Sequence, residues 1–315
     1  MGVQVKDMDV SVITPTYNRA HLLPRAWNSI KNQKADFEWI VVDDGSTDNT
    51  NDVILLLDDI RITYLPLSQN CGVNVARNRG VDLAHGRYVV FLDSDDELFS
   101  GGLEYLVSVM DKANSDIGAA AFACVVSETG EQISVLPDGQ VCDEYDVVCN
   151  DLLRDSGEKL YVYRKEVFEN YKLPEDLRGC EHVFVYGISR KWKFLMINRP
   201  LRVIHRQEDN LSNADSLIAR SFDIAQSYER IIEYHSAILK KNKSALNRLL
   251  KKAIYRYGVA GHINDSWRVY KILLKQAESI RHVMSGTILF SFSIISPVFE
   301  KCRIDRINST MIGLK

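Results

Sequence analysis

Short apolar runs alternate with amphipathic stretches along the first hundred residues. Residues 10–13, 38–42, 60–65 and 88–92 read as strands buried on both faces of a sheet. Between them Leu22, Leu23, Ala26, Trp27 and Ile30 recur at helical spacing. That predicts a helix over residues 19–33, with Asn18 placed to cap it. Further helices are predicted up to about Asp58 and from Gly72 to Ala84. Strands alternating with crossover helices imply a parallel α/β sheet. Farther on, residues 117–126 read as a buried strand, Asp138-Gly139 as a turn, 144–154 as a short helix and 194–197 as another strand.

From about Ser216 the period becomes helical throughout. Leu217, Ile224, Tyr228, Ile231, Ile232, Ile238 and Leu239 recur at helical intervals, as do Leu246, Leu249, Leu250, Ala253, Ile254 and Tyr257. Lys240, Lys241, Lys243, Arg248, Lys251 and Lys252 lie among them. Such basic amphipathic helices suit an anionic bilayer surface, or else form an appendage that packs on the catalytic domain and solvates its lysines. Residues 283–299 form an apolar stretch of 17 residues with Ser, Thr and Pro inside it, too short to span a bilayer comfortably and better suited to its interface.

Composition adds a few bounds. At 315 residues, 46% hydrophobic and 26% charged, the chain has room for a sizeable core and shows no low-complexity tract or repeat. The six cysteines are scattered without metal or redox spacing and read as reduced thiols of a cytosolic compartment. A strand begins within ten residues of Met1, which leaves no room for a secretory segment. The net charge of -3 conceals an asymmetry. Residues 211–315 carry 17 Lys/Arg against 8 Asp/Glu, so the front of the chain is acidic and its tail basic.

Two of the early strands empty into acids. One ends in Asp43-Asp44-Gly45-Ser46-Thr47-Asp48 and the other in Asp93-Ser94-Asp95-Asp96-Glu97. Open α/β sheets bind ligands at the carboxyl ends of their strands. Carboxylates crowded there repel one another, and a hard cation shared with substrate phosphates relieves them. A polar loop capping the next helix is the plainer alternative, and Asp48 in particular fits it. Tyr17 as a surface aromatic and Arg77 as a solvated helical residue are equally plain.

Taken together, residues 10–18, the run 41–48, residues 70–80 and Phe91-Leu92-Asp93-Ser94-Asp95-Asp96 resemble the successive signatures of family 2 glycosyltransferases. The resemblance is strong to about residue 100 and fades beyond 212. It implies a GT-A (Rossmann-like), mostly parallel sheet flanked by helices, with a C-terminal helical appendage. Residues 1–100 would be the nucleotide-sugar half, 101–212 the acceptor half, and 213–315 a basic helical region that contacts a membrane surface. By the same resemblance Pro15, Thr16 and Tyr17 line the nucleoside, Asp44 accepts from a base N–H that suits uracil, and Arg77 faces the nucleotide. Asp93-Ser94-Asp95 is the DxD, with Asp93 toward the ribose. Asp95 or Asp96 holds Mn2+ or Mg2+, with His205 as a further candidate. Where the family commonly carries Glu-Asp, this chain has Glu181-His182, and Glu181 is the expected base.

The implied enzyme is inverting. It takes a nucleotide-diphosphate sugar, expected to be a UDP-sugar, and transfers to a glycan or lipid-linked acceptor in bacterial surface polysaccharide synthesis. No nucleic-acid partner is expected, and the enzyme would work at the cytoplasmic face of the membrane as a peripheral protein. Two other readings remain open at this point. A nucleotidyltransferase would make activated sugars, although residues 14–19 lack its Gly-rich loop. An inactive nucleotide-sugar-binding relative would lack a working Glu181.

Overall fold

The computed structural model describes residues 8–152, 157–205 and 214–276. The chain divides into two compact units. The first comprises residues 1–147, 151–175 and 188–206, and the second comprises 148–150, 176–187 and 207–315.

The first unit is built on one mixed sheet. Its elements run β1 (Val10–Thr16), α1 (Leu23–Ile30), β2 (Phe37–Asp43), α2 (Thr50–Leu57), β3 (Ile62–Pro66), α3 (Val73–Leu83), β4 (Tyr88–Phe91), β5 (Glu97–Leu98), α4 (Gly102–Lys112), β6 (Ile117–Val126), β7 (Val141–Cys142), α5 (Glu144–Val148) and β8 (Leu160–Arg164). After α6 (His182–Ile188), the long β9 (Lys193–Ile204) completes the sheet. Strand order is β3-β2-β1-β4-β8-β6-β9-β5, with β7 also pairing β9. The four strands the apolar runs predicted are mutually parallel, in the order β3-β2-β1-β4. β8 then enters antiparallel to both β4 and β6.

Burial explains the runs. Every residue of β1, β2 and β6 is buried, as expected of strands covered on both faces. Helix α1 packs its stripe of Leu23, Ala26, Trp27 and Ile30 on this sheet, and Trp27 stacks on Trp39 with ring centroids 5.3 Å apart. Helix α3 lies close over β1. A side chain at Gly80 would put its Cβ 2.4 Å from Ile13 Cγ2, so only glycine admits that approach.

Four details depart from expectation. The helix expected over residues 144–154 stops at Val148, and Asp151 has a left-handed φ of 55° that an α-helix cannot continue through. Asn18 does not cap α1, which starts at Leu23 with Pro in its first turn. Asn18 instead adopts a left-handed φ of 53° and ties two loops together, as described below. β8 is not predicted by the apolar runs, and with the short β5 and β7, which pair antiparallel with β9, it makes the sheet mixed. The strand expected over 194–197 is the first part of β9, which continues through Pro200 to Ile204. β9 shifts register against β6 on either side of the Ala123–Pro200 pair. A bulge of this kind is where a strand tolerates a proline that cannot donate to the ladder.

In the second unit the helices α7 (Ala214–Ala219), α8 (Ser221–Tyr234), α9 (Ser236–Leu239), α10 (Lys243–Val259) and α11 (Ile263–Gln276) follow one another. The apolar stripe of α10 is its packing face: Leu246, Leu249, Leu250, Ala253, Ile254 and Tyr257 are all buried. Asn242 caps α10 by accepting from Ala245 N–H at 3.0 Å. No helix among the described residues is long and apolar enough to cross a membrane. The apolar stretch 283–299 lies outside the described residues.

Candidate active site

The parallel order β2-β1-β4 brings three loop starts to one edge. β1 delivers Pro15, Thr16 and Tyr17, β2 delivers Asp43 and Asp44, and β4 delivers Asp93 through Asp96. The Thr16 carbonyl accepts from Asp44 N–H at 2.8 Å, so the first two loops leave the sheet side by side. Asn18 then bridges them. Its N–H donates to Ser46 Oγ at 2.8 Å and its Oδ1 accepts from Thr47 N–H at 2.7 Å. Asp48 reaches back to Ala20 N–H at 3.0 Å while accepting from the Thr50 N–H and hydroxyl at the head of α2. Asp48, one residue before the Asn49 N-cap, thus ties this loop to the first residue of α2. Gly45 has φ +79°, and a Cβ there would meet the backbone carbon of Gln69 at 2.6 Å.

Asp44 is buried, and its carboxylate accepts from Cys71 N–H at 2.7 Å and Gly72 N–H at 2.8 Å. This carboxylate therefore fixes the loop entering α3. Thr16 is also buried, and its hydroxyl has no hydrogen-bond partner among the described residues. Tyr17 is exposed.

The acid run after β4 alternates in burial: Leu92, Ser94, Asp96 and Leu98 point in, while Asp93, Asp95 and Glu97 are half-buried. Each of its three aspartates is met by an arginine. Arg77 on α3 donates to Asp93 Oδ1 at 2.7 Å, Arg19 to Asp95 Oδ2 at 2.6 Å, and Arg202 on β9 lies 3.5 Å from Asp96 Oδ2. Arg202 also lies 3.9 Å from Asp93 and 3.4 Å from Glu158. Burial pushes the Asp93 carboxyl up, but Arg77 and Arg202 outweigh it and hold it below the usual carboxylate range. Burial wins at Asp96, whose carboxyl is pushed up to about 8 despite Arg202.

Arg25 and Ser29 on α1 and Gln33 just beyond its C-terminus hold this run from behind. Arg25 Nη2 donates to the Asp95 carbonyl at 2.5 Å, Ser29 Oγ accepts from Leu98 N–H at 3.1 Å, and Gln33 accepts from Leu103 N–H at 3.1 Å and donates to the Phe99 carbonyl at 2.9 Å. Arg25 and Ser29 stand four apart, one above the other on the helix face, and Gln33 continues the line beyond the helix end. On the other side β5 pairs antiparallel with β9, and His205 closes the corner. Its Nε2 lies 2.5 Å from Glu97 Oε1 and its Nδ1 lies 3.0 Å from Ser127 Oγ.

Among the described residues no group of three His, Cys, Asp or Glu side chains converges into a metal cage. The donor set still fits a hard cation that takes one or two carboxylates and completes its shell with water and substrate phosphate. Asp95 offers such a carboxylate, whereas Asp96 is buried beside Arg202. Glu181 belongs to the second unit, where it is exposed just ahead of α6 and its carbonyl accepts from Phe184 N–H at 3.0 Å. The neighbouring His182 instead bonds Ser227 Oγ at 2.8 Å.

Arg19, Arg25, Ser29, Gln33 and Arg202 join the site without being among the residues that the sequence pattern predicts. The 25/29/33 spacing was available as a signal. So was the excess of arginines flanking an acid run.

The sequence model of glycosyl transferase family 2 matches residues 11–172. A GalNAc(5)-diNAcBac-PP-undecaprenol beta-1,3-glucosyltransferase of Campylobacter jejuni is 33% identical over 297 residues, spanning 91% of this chain and 93% of that protein. The chain belongs to glycosyl transferase family 2. Membership makes this chain a glycosyltransferase and displaces the nucleotidyltransferase alternative. Solved structures share the GT-A fold. S. aureus TarS in complex with UDP superposes with a TM-score of 0.56 at 18% identity, covering 97% of this chain and 92% of that one. The Pyrobaculum calidifontis mannosyltransferase PcManGT, in complex with GDP-Man and Mn2+, gives 0.56 at 19% identity over 94% and 89%. At these identities the likeness carries the fold of this family 2 glycosyltransferase and not its substrate.

Proposed function

We propose that this glycosyltransferase transfers a sugar from a UDP-sugar to a lipid-linked saccharide, with inversion, during assembly of a bacterial surface polysaccharide. The observation that carries this reading is the arginine-bracketed acid run at the carboxyl edge of β4, beside the loops of Thr16 and Asp44. The near full-length match to an undecaprenol-linked glucosyltransferase supports the acceptor class.

In this reading Tyr17 stacks on the base, Pro15 and Thr16 line the nucleoside, and the unpartnered Thr16 hydroxyl finds a donor-side group. Asp44 accepts from uracil N–H with its remaining lone pairs. Asp93 binds the ribose, Ser94 beside it lines the donor site, and Arg77 faces the nucleotide. Asp95 is the proposed ligand of Mn2+ or Mg2+, with Asp96 and His205 behind it. A bound divalent cation supplies Lewis-acid stabilisation of the departing diphosphate. Glu181 accepts the proton of the attacking acceptor hydroxyl, which requires the carboxylate form. Attack on the face opposite the leaving group inverts the anomeric centre. Residues 213–315 provide a peripheral contact with the cytoplasmic face of the membrane that presents the acceptor.

A mass-resolved transfer assay with UDP-sugars and a diphosphoundecaprenol-linked saccharide tests this. Asp95→Ala should lose metal-dependent donor binding and turnover, and Glu181→Ala should keep donor binding while losing at least about a hundred-fold in kcat. The anomeric configuration of the product reports inversion. Normal transfer by Glu181→Ala would remove Glu181 as base, and binding without transfer by the wild-type chain to any acceptor would favour an inactive relative.

A further inference from the structure

Arg19 and Arg25 reach the same residue for different ends. Arg25 holds the carbonyl of Asp95 at 2.5 Å, which fixes the main chain at that point. Arg19 holds the carboxylate, Nη1 to Oδ2 at 2.6 Å, with the two side chains only 19% and 13% exposed. A charge-assisted bond this short and this shielded is stronger than an ordinary surface ion pair. The main chain of Asp95 therefore stays in place whatever its carboxylate binds.

Among the three arginines that face the run's aspartate carboxylates, Arg19 stands apart by its location. Arg77 projects from the middle of α3 and Arg202 from a buried position on β9. Arg19 lies in the turn between β1 and α1, directly after the left-handed Asn18 that the Ser46 and Thr47 loop clasps. It is thus carried by the two loops that flank the proposed nucleoside site. Its backbone is anchored, but no helix or strand encloses it.

We infer that Arg19 holds the cation's place on Asp95 in the donor-free enzyme and transfers to the donor's diphosphate when nucleotide and cation bind together. Cation binding is thereby made conditional on nucleotide. The inference rests on the proposed role of Asp95 as cation ligand. A bare divalent ion arriving at Asp95 meets the charge of Arg19 within bonding distance and has to displace a short ion pair. A diphosphate changes both terms. It offers the planar guanidinium a pair of phosphate oxygens that suit its fork at least as well as a carboxylate, and it brings negative charge to the cation. Arg19 is in this scheme a positioning residue that couples two ligands, and the coupling is reciprocal.

The test is direct binding without turnover. Free Mn2+ is counted by electron paramagnetic resonance in titrations of the full chain, with and without UDP, and UDP binding is followed by calorimetry with and without Mn2+. Wild-type protein should bind Mn2+ weakly alone and at least about ten-fold more tightly with UDP. Arg19→Gln should bind Mn2+ alone about ten-fold more tightly than wild type, bind UDP more weakly, and lose most of the coupling. Arg19→Lys, which keeps the charge, should restore part of it. Circular dichroism checks that both variants are folded.

Tight Mn2+ binding by the wild-type chain without nucleotide would overturn the inference, a result that needs no variant. So would an unchanged Mn2+ affinity and unchanged coupling in Arg19→Gln. The parent reading fails separately: wild-type UDP–Mn2+ coupling retained by Asp95→Ala removes Asp95 as the ligand whatever Arg19 does.

Discussion

At the scale of single residues the site is a set of carboxylates whose partners decide their use. Asp44 accepts from two backbone N–H groups, Asp48 from Ala20 and Thr50, and Asp93, Asp95 and Asp96 each face an arginine. Asp48 carries a pH signature that denaturation can read. Burial pushes its carboxyl up, but the Thr50 hydroxyl and the Ala20 and Thr50 N–H groups outweigh that and hold it below the ordinary range. A depressed carboxyl contributes stability that is present above its unfolded pKa and is lost as pH falls through its folded one. Asp48→Ala is therefore expected to cost about 1 kcal/mol at pH 7, with the difference from wild type shrinking below about pH 4. Urea denaturation at pH 7 and pH 3 measures it; a pH-independent difference would mean the carboxylate's charge has no part.

These residue roles were only partly legible in the sequence. Acids at strand ends announce themselves, because an apolar run that stops in charge is unusual. Their arginines do not. A lone Arg in a turn or on a helix reads as solvated until the fold brings Arg19 to Asp95 across 76 positions. Asn18 was legible as a special residue but not in its use, since capping and loop-tying draw on the same side-chain oxygen.

At the scale of elements, α1 does more than cover the sheet. Its apolar stripe packs on the core while Arg25 and Ser29, with Gln33 just past its C-terminus, brace the chain from Asp95 to Leu103. Gln33→Ala strands the buried Leu103 N–H and should destabilise the first unit by about 1–3 kcal/mol. The change reads out as a lower urea midpoint with unchanged slope, whereas an unaffected midpoint would show that this brace carries no weight. Periodicity found α1 by its apolar face and was blind to the polar one. It also missed β8, since Leu160–Arg164 follows no crossover helix, and it stopped β9 early, because a proline ordinarily ends a strand unless a bulge accommodates it.

At the scale of the whole molecule the basic tail has two separable features. The apolar stripe of α10 is spent on packing within the helical unit, which answers what Leu246 through Tyr257 are for. α11 is different. Ile263, Trp267 and Leu274 fall on one face and are exposed, with Lys271 Nζ 5.4 Å from the Trp267 ring. An interfacial tryptophan beside lysines suits an anionic lipid surface. Cosedimentation with vesicles containing anionic lipid should fall at least about three-fold for Trp267→Ala with Lys271→Gln, and fall with added salt for the wild type. Equal binding by wild type and double variant would show that this face of α11 makes no membrane contact.

The proposition on which the enzymology depends is that Asp95 anchors a cation gripping a donor's diphosphate. Anomalous diffraction at the manganese edge, on crystals soaked with UDP and Mn2+, addresses it without an activity assay. The expected result is a peak about 2–2.5 Å from an Asp95 carboxylate oxygen, with Arg19 on the diphosphate. A nucleotide bound with no such peak, and Asp95 still paired with Arg19, would contradict it.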